Sequence, residues 1–139
     1  KDVMRKILIL SREAGLQLEM NDIVNKAFLP STTLDPNEWR DLLKNLRALD
    51  TRFENDRLKL AQQNKRWRYM ATLDNGQAST GLEEIDSTHP AYHLKGTDNI
   101  ILIWTDRYRQ RPMVIAGAGA GPDVTASGVL ADVISIANV

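Results

Sequence analysis

Apolar residues recur at helical spacing at the start of the chain. They fall three or four residues apart: Val3, Ile7, Leu10 and Ala14. This spacing places the side chains on one face of a helix, and Gly15 is the residue type that most often follows a helix end. The pattern therefore predicts a half-buried helix over residues 2–14. Beyond it, Leu16, Leu18 and Met20 alternate with polar residues, which predicts a short strand.

A second helical segment is signalled by the tetrapeptide Asp35-Pro36-Asn37-Glu38. Aspartate caps free backbone amides, proline suits the first turn, and the glutamate completes a capping box. Apolar residues then continue on one broad face: Trp39, Leu42, Leu43, Leu46, Leu49, Phe53, Leu58 and Ala61. One long helix, or two helices broken near Asp50-Thr51, is predicted over residues 36–63. Its opposite face carries mixed charge, which is typical of a solvated surface, and we assign it no function.

The second half of the chain carries strand patterns. Alternating residues 66–73, the turn Asp74-Asn75-Gly76 and a further alternation up to Ile85 predict an antiparallel hairpin. Apolar runs predict two more strands, at residues 100–105 and 113–116, followed by a helix over residues 121–137. The elements together predict an α/β (α+β) fold, with a mixed, largely antiparallel sheet and helices packed on one face.

Composition limits the class of protein. The 139 residues are 42% hydrophobic and 26% charged, which is the make-up of one soluble globular domain. Lys and Arg balance Asp and Glu at 18 each, so no overall attraction to nucleic acid or to a membrane is expected. Cysteine is absent, and no signal peptide or run of ~20 apolar residues is present, so we predict a cytoplasmic protein. Because Lys1 is not an initiator methionine and a helical pattern begins by Val3, we expect a piece of a longer chain.

Two other clusters are assigned no site. His89 and His93 are four residues apart, but Pro90 interrupts any helix between them and no third ligand is evident, so we predict no metal. Arginines interleave with aromatic residues around Arg68 and Arg109, as in some proteins that bind single-stranded nucleic acid. Zero net charge argues against that partner, and alternating arginines are more often the solvent face of a strand.

The run Gly117-Ala118-Gly119-Ala120-Gly121 joins a predicted strand to a predicted helix. Glycines at such a junction let the backbone approach a ligand closely, and a helix start offers unpaired amides to a phosphate. The alternative is a tight turn packed against its neighbours, which a short Gly-x-Gly favours when it is taken alone.

Four separate stretches carry a resemblance to one family. Residues 112–137 closely resemble the C-terminal end of homoserine dehydrogenases. The sequence from Asp2 to Leu10 resembles the helix on which that family carries its catalytic lysine. His89-Pro90 with Leu94, Gly96, Asn99 and Thr105 is similar to the run that leads into a core strand. Residues 27–76 resemble most the bifunctional aspartate kinase and homoserine dehydrogenase chains.

The resemblance implies that this chain is the C-terminal catalytic portion of an NAD(P)-dependent homoserine dehydrogenase. Such an enzyme interconverts L-homoserine and L-aspartate 4-semialdehyde in threonine and methionine biosynthesis. Lys6 matches the proton-accepting base, and Asp2 matches a residue that holds the substrate amino group. Gly121 matches a glycine that touches the NAD or NADP cofactor, with Gly119 beside it as a second cofactor-binding candidate.

The family also implies a domain organisation and partners. Residues 1–116 would form the catalytic and dimerisation region, and residues 117–139 a glycine turn and helix that return to a nucleotide-binding domain. A homodimer is expected. The closer resemblance to the bifunctional chains also implies an aspartate kinase domain in the parent chain. The Gly-x-Gly-x-x-Gly motif of the Rossmann domain is absent from these residues, as are the upstream lysine and carboxylates of the substrate site. We therefore expect no turnover by this segment alone.

Asp2 and Lys6 can also be judged without the family. Four residues apart on a helix, their side chains share one face and suit a zwitterionic ligand. An ordinary surface salt bridge has the same spacing. A lysine accepts a proton only when uncharged, so a catalytic site has to disfavour its charge by burial or by a neighbouring cation.

The alternative function for the chain as a whole is that of a noncatalytic regulatory or oligomerisation domain.

Overall fold

The computed structural model describes residues 1–33 and 39–137. The chain divides into two compact units, Lys1–Thr88 and the residues from His89 onward. The mixed α/β class predicted from the sequence is confirmed. The predicted helix start at Asp35-Pro36-Asn37-Glu38 lies outside the described residues, and the functional division between residues 116 and 117 stays a prediction.

The described residues of the first unit form three α-helices and three strands. In chain order they are α1 (Asp2–Glu13), β1 (Val24–Lys26), α2 (Trp39–Arg47), α3 (Asp50–Gln62), β2 (Lys65–Asp74) and β3 (Gln77–Asp86), with short 3-10 helices at Met20–Asp22 and Ser31–Thr33. Helix α1 confirms the prediction for residues 2–14, and Gly15 follows its end with φ +88°. Of the two alternatives for residues 36–63, the one with two helices is correct, since α2 ends at Arg47 and α3 begins at Asp50.

The strand predicted over residues 16–20 is wrong. Met20 instead begins a 3-10 helix, and the strand in this part of the chain is β1. The reason is a local capping box: the Glu19 side chain accepts from the backbone of Asp22, whose carboxylate accepts the Glu19 N–H at 2.8 Å. Such side-chain bonds to the backbone offer an alternative to a strand ladder. Two of the three alternating residues, Leu18 and Met20, nevertheless pack against the core.

The sheet of the first unit has the strand order β1-β3-β2. Strand β1 is parallel to β3, with Val24 opposite Ser79, while β2 and β3 form the predicted antiparallel hairpin. Asn75 and Gly76 form its two-residue turn with φ of 47° and 80°. Both values are positive, as the favoured type I′ hairpin turn requires, so the Asn-Gly signal is confirmed.

Two helices cover the same face of this sheet. The buried core cluster is Ile7, Leu8, Ile23 and Ala78, with Ala71 and Leu73 packed against it. Trp67 lies on the same face of β2, because side chains two and four residues apart along a strand point the same way. Its ring meets Phe53 of α3 edge to face at 5.8 Å. Helices on one face of the sheet are thus found as predicted.

A polar triad ties the three strands together on that face. The Thr80 side chain is 1% exposed, and its hydroxyl donates to Asn25 Oδ1 at 3.3 Å. The Tyr69 hydroxyl donates to the Thr80 hydroxyl at 3.3 Å and lies 3.4 Å from Asn25 Oδ1. A buried hydroxyl is costly without a partner, so the triad satisfies Thr80 and links β1, β2 and β3.

The second unit contains β4 (Asp98–Ile103), β5 (Met113–Ala118) and α4 (Pro122–Ala137), after a short 3-10 helix at Pro90–His93. These bounds confirm the two later strands and the last helix to within a few residues. β4 and β5 pair antiparallel in a sheet of their own, from Asp98 opposite Ala118 to Ile103 opposite Met113. The sequence predicted one mixed sheet, whereas the described strands form two, because β4 pairs with the next strand along the chain.

Helix α4 is apolar and exposed. Its residues include Val129 and Leu130, each 60% exposed, and Ile136 at 77%. No residue of α4 is buried. Across residues 1–33 and 39–137, none of the helices combines the length and the apolar character needed to cross a membrane.

Candidate functional site

Asp2 and Lys6 form an ion pair on the solvent side of α1. Lys6 Nζ lies 3.1 Å from Asp2 Oδ2, and the two side chains are 58% and 77% exposed, respectively. The helix turns its opposite face inward, burying Ile7, Leu8 and Ser11. The Ser11 hydroxyl donates to the Ile7 carbonyl at 2.7 Å, which satisfies the one polar side chain of that buried face. Core packing on one side of α1 therefore fixes which way the pair points.

The contact is the ion pair expected from the i,i+4 spacing, and both charged groups are accessible to a ligand. A carboxylate and an ammonium side by side, both open to solvent, can each exchange their partner for a charged group of a small zwitterion. As it stands, the contact is an exposed i,i+4 salt bridge. Catalytic use requires a further change around Lys6, because its side chain is more than half exposed and its close partner is an anion.

The predicted cofactor-binding glycines lie between β5 and α4. Gly121 has φ +145°, a conformation that favours glycine, and nothing lies within 4 Å of the position a Cβ would take. Its carbonyl accepts the Thr125 N–H at 3.0 Å at the start of α4. Gly121 therefore leaves open backbone at a helix start, as a close approach by a ligand requires.

Gly119 lies against a side chain of the neighbouring strand. The side-chain amide of Asn99 occupies the space that a Cβ at Gly119 would fill. Asn99 lies directly opposite Gly117 in the β4–β5 register, and Gly119 follows two residues later on the same side of the chain. In the sequence, Asn99 stands out only within the family resemblance, and its contact with Gly119 becomes visible only with the strand register.

The predicted site residues are divided between the two units. Asp2 and Lys6 belong to the first unit, and Gly119 and Gly121 belong to the second. The structure brings together the members of each pair.

The two histidines have structural partners. His89 Nδ1 accepts the Ala91 N–H at 3.1 Å and so caps the short 3-10 helix, while the His93 ring meets Tyr92 edge to face at 5.0 Å. In the part of the chain that the structure describes, no three His, Cys, Asp or Glu side chains are grouped as a metal site requires. The absence of a metal stays a prediction.

Comparison with known proteins decides the family. The sequence profile described as homoserine dehydrogenase matches residues 1–134. This chain belongs to the homoserine dehydrogenase family. The family predicted from these resemblances is thus confirmed.

Individual relatives agree with the family profile. The homoserine dehydrogenase of Schizosaccharomyces pombe is 38% identical over 138 residues, which cover 97% of this chain and 37% of that protein. The bifunctional aspartokinase/homoserine dehydrogenase 2 of Zea mays, named chloroplastic, is 34% identical over 139 residues, or 99% of this chain and 15% of that protein. A crystal structure from Candida auris, described as a protein of unknown function, has a TM-score of 0.81 and 37% identity, over 99% of this chain and 39% of that one. This chain thus spans well under half the length of each of these three relatives.

Proposed function

We propose that this chain is the C-terminal catalytic portion of an NAD(P)-dependent homoserine dehydrogenase, which interconverts L-homoserine and L-aspartate 4-semialdehyde. The observation that carries the proposal is the Asp2–Lys6 pair, an exposed carboxylate and ammonium 3.1 Å apart on α1 of a chain of this family. The pathway implied is threonine and methionine biosynthesis.

Asp2 acts in substrate binding. Its carboxylate is 77% exposed, so the ammonium group of homoserine can reach it and replace Lys6 as its partner. The ion pair orients the substrate relative to the helix, which is a contribution of positioning. The exchange also releases Lys6 from its ion pair, so that its amine can turn toward the homoserine hydroxyl.

Lys6 acts as the base. Its uncharged amine takes the proton of the homoserine hydroxyl while the hydrogen on the same carbon leaves as a hydride, and the alcohol becomes an aldehyde. A bound oxidised nicotinamide supplies the acceptor for that hydride. In the opposite direction the Lys6 ammonium donates a proton to the aldehyde oxygen. Lys6 and the hydroxyl exchange one proton in either direction, so no other acid or base is required at this oxygen.

Gly121 fits a cofactor contact. Its backbone is open where a side chain would otherwise project, and α4 begins at the next residue. The fit of Gly119 is weaker, since the amide of Asn99 already fills the space beside it. We propose that the parent chain carries the Gly-x-Gly-x-x-Gly domain and that these 139 residues alone turn over no substrate.

The exposed apolar surface of α4 supports the predicted domain organisation. Val129, Leu130 and Ile136 are each at least 60% exposed, and an apolar helix of this kind gains stability when a neighbouring surface covers it. We propose that residues 117–139 return to the nucleotide-binding domain of the parent chain. A homodimer, a cytoplasmic location and an aspartate kinase domain in the parent chain are parts of the same proposal.

Calorimetric titration tests the proposal against the noncatalytic alternative. Homoserine and NADP are titrated separately into the parent chain and into the 139-residue segment. The parent chain is expected to bind both. If it binds neither, the segment is a regulatory or oligomerisation domain and the enzyme proposal is wrong. Reduction of NADP by the isolated segment would show that the main cofactor surface lies within these residues, contrary to the proposal.

A further inference from the structure

The Thr97 carbonyl joins the two sides of the glycine turn. It accepts the backbone N–H of Gly119 at 3.1 Å and the side-chain amide of Asn99 at 3.3 Å. The first bond continues the β4–β5 pairing one step beyond the last residue of β5, and the second fixes the Asn99 side chain beside that step. Two donors on one oxygen thus hold the point at which the chain leaves the sheet.

Asn99 closes the same point sterically. Its amide nitrogen lies where a Cβ of Gly119 would be, so the side chain packs directly on the Gly119 backbone. The neighbouring glycines are different: Gly117 and Gly128 have nothing within 4 Å of a Cβ position. Gly121 is equally open and differs from them in its φ of +145°. Among the described glycines of the second unit, only Gly119 has a side chain within 4 Å of its Cβ position.

The position of Gly121 depends on this closure. Only Ala120 lies between Gly119 and Gly121, and α4 begins at Pro122. Any shift of the backbone at Gly119 therefore displaces the open backbone of Gly121 and the first turn of α4. Displacements of about 1 Å are enough to weaken a positioned contact.

We propose that Asn99 is a positioning residue for the cofactor contact. Its amide, held by the Thr97 carbonyl and packed on Gly119, fixes the turn that presents Gly121 to the nicotinamide nucleotide. The inference rests on the proposed function, because it assigns Asn99 a role in that same site.

A pair of substitutions in the parent chain tests the inference. Gly119→Ala places a methyl group where the Asn99 amide now lies, so either the amide leaves the Thr97 carbonyl or the turn moves, whereas Asn99→Ala removes the amide and makes room for that methyl group. Gly119→Ala is therefore expected to raise the KM for the cofactor on the order of tenfold, with a much smaller change of kcat at saturating cofactor. The double variant is expected to recover much of that loss. Asn99→Ala alone is expected to raise the same KM by a smaller factor.

Two further variants separate the mechanisms. Gly117→Ala adds a methyl group to the same strand where nothing lies within 4 Å, so its KM for the cofactor is expected to match the unmodified chain. Gly121→Ala is strained by its φ of +145°, so Asn99→Ala is not expected to rescue it. A general loosening of the second unit would instead affect all of these variants alike.

Hydrogen exchange gives a readout that does not need activity. The Gly119 N–H is hydrogen bonded to Thr97, so exchange in a peptide spanning residues 113–121 is expected to speed up in Gly119→Ala and to slow again in the double variant. If hydrogen exchange in the double variant is as fast as in Gly119→Ala, the inference is wrong. It is also wrong if exchange slows in the double variant but the KM for the cofactor is unchanged in every variant. If the unmodified parent chain is inactive, the proposed function itself is refuted. Hydrogen exchange still reports the packing of Asn99 on Gly119 in that case, so the two failures can be told apart.

Discussion

Replacing Lys6 by alanine separates chemistry from stability on one helix. The side chain is 58% exposed and its partner is Asp2 at 3.1 Å, so the substitution removes one surface i,i+4 ion pair. Such pairs contribute about 0.3–0.5 kcal/mol to stability, and alanine has at least the helix propensity of lysine. The free energy of unfolding is therefore expected to change by no more than about 0.5 kcal/mol.

The expected effect of Lys6→Ala on catalysis is far larger. General acid–base catalysis contributes on the order of 10²–10⁴ in rate. At 1.36 kcal/mol for each tenfold change, this is about 3–5 kcal/mol of transition-state stabilisation. We expect kcat of the parent chain to fall by that factor with a smaller change in the KM for homoserine. Asp2→Ala is expected to raise the KM for homoserine as well.

Lys59 supplies a matched control. It lies on α3, is 70% exposed, and pairs with Asp56 at 3.2 Å. Lys59→Ala therefore removes a surface ion pair of the same kind, and we expect it to leave both kcat and stability nearly unchanged. The assay follows NADPH absorbance over a range of homoserine concentrations, with thermal unfolding recorded for each variant. Equal and small effects of Lys6→Ala and Asp2→Ala, no greater than that of Lys59→Ala, would make the Asp2–Lys6 pair an ordinary surface salt bridge.

Three further predictions concern stability and are measured on the parent chain by urea unfolding. Leu8 is 8% exposed in the core, so Leu8→Ala is expected to cost about 2–5 kcal/mol, and a cost below 1 kcal/mol would contradict the packing of α1 on the sheet. Thr80→Val keeps the shape of the side chain but removes the buried hydroxyl of the polar triad, so it is expected to cost about 1 kcal/mol of stability. Tyr69→Phe is then expected to cost less in the Thr80→Val background than in the unmodified chain. Strict additivity of the two costs would rule out the triad. The hydrogen bond from Arg57 lowers the pKa of Glu54 below its ordinary value of 4.5, so the stabilisation is present above pH 4.5 and is lost as the pH falls through the lower folded value. Glu54→Gln should flatten the pH dependence in that window, and an unchanged acid limb would show that the pair contributes nothing.

Elements with strong local signals could be predicted from the sequence. The hairpin turn at Asn75-Gly76 places two residues at positive φ, which few other residue pairs tolerate. Helix α1 was predicted because its apolar face is regular and Gly15 marks its end. The strand predicted over residues 16–20 was wrong because the reciprocal bonds of Glu19 and Asp22 outweigh the alternation of Leu18 and Met20.

Nonlocal features could not be predicted in the same way. The separation of the strands into two sheets depends on which edges pair, and alternation of residues does not record this. The ion pair of Asp2 and Lys6 follows from their spacing, but its proposed catalytic role comes from the family. The contact between Asn99 and Gly119 requires residues twenty positions apart to be brought together by the register of β4 and β5.

We propose that Lys6 is the base of a homoserine dehydrogenase whose cofactor domain lies elsewhere in the parent chain. The most direct measurement is the initial rate of NADP or NAD reduction by L-homoserine, with the parent chain, its Lys6→Ala variant and the isolated segment compared in parallel. We predict turnover by the parent chain, a rate at least about 100-fold lower for the variant, and none for the segment. A parent chain that reduces neither cofactor, or a Lys6→Ala variant that retains the full rate, would contradict the claim.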